Sequence, residues 1–162
     1  MLKLNLRQIA LHFIACCFLY YSFKTFSFLS DTKIIDVLRQ HNQDIYEAVK
    51  NKSITTTELA HFDFLTKIGG TIGLLFAFFI SLTISIKRKW FWINSLIIFI
   101  AAFLLARFDL GWFYLKKFLW FPGHLLTNTY FELIVNGTIL LAVGLLIFFL
   151  KSTNKFIEKR DF

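Results

Sequence analysis

Eight residues of this chain have the types and placement to do chemistry: His61, Asp63, Lys67, Arg107, Asp109, His124, Glu132 and Asn136. Each lies beside or just inside the end of a long apolar stretch, so four threaded stretches would bring all eight near one membrane face. Carboxylates and imidazoles there could exchange protons, and Arg107 could clamp an anion. The set therefore reads as a small site for a lipid headgroup, an anion or a proton. The plainer alternative is a ring of interfacial ion pairs tying helix ends together, Arg107 with Asp109 or Glu132 and Lys67 with Asp63. Asn136 lies one turn beyond Glu132, on the same helix face. His61-x-Asp63 and His124 with Glu132 are the only metal-like pairs, and neither has a ligand spacing that metal sites use. GxSxG, HExxH and P-loop patterns are absent. No catalytic residue, metal or cofactor is expected.

A second constellation concerns packing. Gly69, Gly73, Ala77, Ser81 and Ser85 recur every four residues, beginning as GxxxG and continuing as small-xxx-small. Small side chains let two helix backbones approach until dispersion and weak Cα–H hydrogen bonds form. Such a row drifts around the helix and suits a right-handed crossing of about −40°. Another helix of the chain, a second copy or a partner subunit could fill the groove. Gly137 and Gly144, beside Asn136, mark a second packing face or a substrate path. Cys16 and Cys17 are adjacent, too strained to bridge each other, and read as small apolar packing residues.

The elements that must position these residues are helices in lipid. Of 162 residues, 57% are hydrophobic and 22 are Phe, and the mean hydropathy is +0.62. A soluble domain of this size has too little interior for that apolar surface. The whole chain, 1–162, reads as a single all-α membrane domain with four transmembrane helices at about 9–29, 64–86, 90–106 and 131–150. The first run is long for a signal peptide and ends without a small-x-small cleavage site, so a retained helix is expected. Residues 31–63 form an extracytoplasmic amphipathic segment: Ile34, Ile35, Leu38, Ile45 and Val49 fall at helical spacing to about Lys52, and a capped turn follows at Thr55–Glu58. Between the third and fourth spans, Trp112, Tyr114, Lys116, Lys117 and Trp120 predict an interfacial aromatic segment, with a re-entrant one as the alternative.

The net charge is +8, but the basic residues cluster at span ends, which argues for membrane orientation and against nucleic-acid binding. The 18 basic residues divide equally between the two sides of a four-span topology. Density breaks the tie: Lys87-Arg88-Lys89 sits in a tight turn, and Lys151, Lys155, Lys159 and Arg160 follow the last span. Both termini are thus expected in the cytoplasm. Abundant Lys, Ile, Phe and Asn suggest an AT-rich bacterial genome, hence the inner membrane.

The function expected from these features is non-catalytic: an accessory or interaction subunit of a larger inner-membrane assembly. Its partners would be the bilayer and another subunit, or itself, through the second span. A small ion- or proton-coupled transporter is the alternative, though the spans are nearly free of charge. A lipid-acting enzyme would use Glu132, His124 or Asp109 as acid and base beside Arg107.

Overall fold

The computed structural model describes residues 4–40, 45–51, 53–108 and 122–158, and every regular element among them is helical. Helix α1 spans Leu6–Ser27 and runs through a 3-10 turn, Phe28–Asp31, into α2, Thr32–Gln40. Short α3 spans Ile45–Lys50, long α4 Thr56–Lys87, α5 Ile93–Phe108, α6 Thr129–Phe149 and α7 Lys151–Glu158. Among the described residues, three helices are long and apolar enough to cross a membrane: Leu6–Leu38 (α1 continuing into α2), Thr56–Lys87 and Thr129–Phe149. The stretch expected as the third of four spans, about 90–106, is a shorter apolar helix, Ile93–Arg107, so the four-span count is not reached by length among the described residues. The aromatic segment expected around 110–121 lies outside the described residues.

Helix α1 is the hub, in contact with α4, α5 and α6. From Ala15 to Ser22 it is buried on every side. A helix apolar all round is stable only when enclosed, and α1 carries the small residues that let neighbours close in: Ala15, Cys16 and Cys17. Both cysteines are buried and neither is in a disulfide. Helices α4 and α6 bring their own small residues to α1. A Cβ added to Gly73 would sit 2.7 Å from the Leu19 carbonyl oxygen, and one on Gly137 would sit 2.6 Å from the Phe26 ring. The Gly137 carbonyl accepts a 2.8 Å hydrogen bond from Ser22 Oγ.

The polar segment between the first two spans differs from a single amphipathic helix. Helix α2 follows α1 without a loop, because Phe28 and Thr32 keep right-handed helical dihedrals across the 3-10 turn. Its apolar side does not lie free on the membrane surface. Ile34, Ala48, Ile54 and Phe62 form a second, smaller core, flanked by Phe28, Ile35, Val37, Leu38 and Leu59. Phe28 and Phe62 stack with centroids 5.6 Å apart.

Phe62 reaches that core because α4 starts before its apolar stretch. Thr55 and Glu58 close a reciprocal capping box, which satisfies two amide donors of the first turn. At its other end α4 stops in a Schellman motif: Trp90 N donates to Ser85 O (2.8 Å) and Lys89 N to Ile86 O (3.1 Å). Lys89 takes the left-handed position of that motif, φ 55°, where glycine is the usual residue. The turn carries Lys87 and Arg88 at the negative end of the helix dipole.

Candidate functional site

Polar side chains gather at both ends of the bundle. At the end opposite the termini, three of the eight sequence candidates converge on α6. Asn128 caps this helix by accepting from Tyr130 N at 2.8 Å. Glu132 then falls in the first turn, where the helix dipole favours an anion. Its side chain is only 1% exposed, and His124 Nδ1 lies 2.9 Å from its Oε1, an ion pair whenever the imidazole is protonated. One turn further, fully buried Asn136 accepts from the Gly123 amide at 3.1 Å. The 122–124 turn is thereby pinned over the start of α6. Asn136 Nδ2 has no hydrogen-bond partner among the described residues. Thr129 donates to Asp36 Oδ1 and ties the same end of α6 to α2.

The other candidates do not join this cluster through any contact among the described residues. Asp63 and Lys67 pair with each other on the exposed side of α4. His61 is exposed two residues before Asp63, and Arg107 is exposed in the last turn of α5. Arg107 therefore does not act as the expected partner of Glu132; His124 holds that place. Asp109 lies outside the described residues. Asp36, Thr129 and Gly123 were not legible as members, because spacing along each segment does not show that α2 meets the start of α6 or that the 122–124 turn folds over it. Among the described residues, no three His, Cys, Asp or Glu side chains are grouped to hold a metal.

The opposite end, which collects both termini, holds a network that the sequence did not single out. Gln8 and His12 lie one turn apart on α1, Ser81 and Ser85 one turn apart on α4, and Asn94 and Ser95 open α5. All six are completely buried. Asn94 Nδ2 donates to Gln8 Oε1 (2.7 Å), and Gln8 Nε2 donates to Ser85 Oγ (2.7 Å). Ser85 and Ser95 share a 3.0 Å bond, Ser81 donates to Ser95 (3.0 Å), and His12 Nδ1 lies 2.8 Å from Ser81 Oγ. The chain of bonds crosses three helices without leaving the interior. Phe148 packs edge-on against the His12 ring, with centroids 4.9 Å apart. His12 Nε2 and Asn94 Oδ1 complete no hydrogen bond among the described residues. The available signal was three polar pairs at one depth, which shows only when the three helices are aligned by depth.

Helix α7 closes this end. Asn5 Nδ2 donates to the Ile157 carbonyl at 3.0 Å, and Arg7 lies over the Phe156 ring, 4.7 Å from its centroid. Arg88 pairs with Glu158. Buried Ile157 and Asn154 turn inward from α7.

The small-residue row now has a definite neighbour. Gly69, Gly73, Ala77, Ser81 and Ser85 are all buried, the glycines against Leu19, Tyr20, Phe23 and Ser27 of α1 and the serines within the polar network. The face proposed for self-association is filled by the chain's own first helix. Comparison of the chain with family models, with curated proteins and with solved structures finds no match.

Proposed function

We propose that this chain is a non-catalytic accessory subunit of a larger assembly in a bacterial inner membrane, with α5 as a fourth crossing and both termini in the cytoplasm. The observation that carries the reading is α5 itself. Its 16 residues rise about 24 Å, less than the roughly 30 Å hydrocarbon core. A helix too short for its bilayer thins the membrane locally or associates with another helix. Leu96, Ile100, Phe103 and Leu104 are exposed at the spacing of one helical face. That face fits an apolar transmembrane helix of another subunit. The orientation is supported by basic side chains that lie together at the termini end: Arg7, Lys87, Arg88, Lys89, Lys151 and Lys155.

A photo-crosslinking residue at Ile100 should capture one discrete protein in native membranes, while the same residue at Ile72, on exposed α4, should not. Lipid adducts alone from Ile100, together with a monomeric mass in mild detergent, would remove the reading.

A second reading, a proton- or cation-coupled carrier, is favoured by Glu132. A carboxylate buried near membrane depth is costly and tends to be retained for a task. Glu132→Gln in proteoliposomes should then lower coupled flux at least tenfold. Equal flux in variant and parent excludes Glu132 from any transport step.

A further inference from the structure

Helices α4 and α6 both lean on α1, and an open groove of about 240 Å³ runs between them at the termini end. Phe76, Phe79, Ile80, Thr83 and Ile84 of α4 and Phe149 of α6 form its walls, and Lys87 stands at its rim. We infer that this groove binds one acyl chain of an anionic glycerophospholipid, with Lys87 holding the headgroup phosphate.

The dimensions and the placement of charge suit a single acyl chain with its headgroup. From Phe76 to Lys87 the groove climbs about 16 Å, close to the depth of one leaflet's share of a hydrocarbon core of roughly 30 Å. The walls are aromatic and aliphatic, and the charge appears only at the end that meets the headgroups. That charge is not isolated. Lys87 is exposed and followed by Arg88 and Lys89, and exposed Lys151 comes two residues after the groove residue Phe149. Arg88 is engaged by Glu158, which leaves Lys87 as the cation facing the groove. An ammonium on a flexible stem suits a phosphate as a point charge.

The test is native mass spectrometry of the full chain released from micelles containing equimolar dioleoylphosphatidylglycerol and dioleoylphosphatidylcholine. One phosphatidylglycerol should be retained in preference to phosphatidylcholine. A single lysine near an anionic headgroup corresponds to about a fivefold preference. Lys87→Gln, a surface change that leaves the fold intact, should reduce that preference about fivefold. Thr83→Trp, which fills the groove from an exposed position, should reduce retention of both lipids. Equal preference in parent and Lys87→Gln would overturn the assignment, as would undiminished retention in Thr83→Trp. A lipid-free dimer of the chain would also overturn it, because a second copy would then be the occupant.

Discussion

Gly73→Leu should separate α1 from α4 and cost about 3 kcal/mol or more of stability, at the upper end of what overpacking a core produces. The reason is what surrounds the missing side chain. A Cβ at Gly73 meets the Leu19 carbonyl oxygen at 2.7 Å, Phe23 Cβ at 2.9 Å and Tyr20 Cα at 3.1 Å. Two of these three atoms belong to backbone, so no rotamer change can make room and α1 must move as a body. The move would also open contacts on the far side of α1, where Leu19 packs against Gly144. Reversible unfolding in mixed micelles should show the loss. A control at Phe79, which is 60% exposed on the same helix, should change stability by less than about 0.5 kcal/mol when replaced by Leu. If Gly73→Leu keeps parental stability, the close approach of α1 and α4 is wrong.

The second large effect is expected from Gln8→Leu. Gln8 joins the three helices of the buried network: it accepts from Asn94 and donates to Ser85. Two scales bear on the cost. Hydrogen bonds between membrane helices average about 0.6 kcal/mol in double-mutant cycles. A buried polar group left without a partner costs about 1–3 kcal/mol. The second scale governs here, because Asn94 has no exposed surface from which to reach water, its Nδ2 would lose the Gln8 acceptor, and its Oδ1 has no hydrogen bond among the described residues. A loss of about 2 kcal/mol is expected, measured by the same unfolding titration. The discriminating variant is the triple replacement Gln8→Leu, Ser85→Ala and Asn94→Leu. Removing donors and acceptors together should recover most of the loss, since Gln8, Ser85 and Asn94 then orphan none of one another's polar atoms and Ser95 keeps its bond from Ser81. Additive losses in the triple variant would show that packing volume, and not hydrogen bonding, sets the cost.

The two variants probe different properties of the same helix pair. Gly73 reports on how closely α1 and α4 approach, and Gln8 on how their rotation about one another is fixed. Dispersion between small residues tolerates some rotation, whereas a hydrogen bond from Gln8 to Ser85 and another from Asn94 allow very little. A bundle in lipid has no hydrophobic driving force between its helices. It needs both kinds of contact to select one arrangement.

The candidate site was partly legible. Glu132 and Asn136 share a face of one helix, and spacing alone places them together. Their neighbour His124 was named for depth, and the structure puts it against Glu132. Depth also grouped His61, Asp63, Lys67 and Arg107 with them, and those four face elsewhere. The network of Gln8, His12 and Asn94 was missed because each looks unremarkable on its own helix. It exists only where three helices meet.

Hydropathy along the chain was enough for the all-helical character and for three of the four expected spans as long apolar helices, and the Thr55–Glu58 pattern was enough for the capped start of α4. These are local properties: a run of apolar residues needs lipid, and an N-terminal turn needs its amides satisfied, whatever lies beside them. The tertiary structure alone decided that α1 is the hub, that the small-residue row faces it, and that six polar side chains close on one another. A sequence orders residues by depth along each helix but not by which helix stands next to which, and contact depends on both.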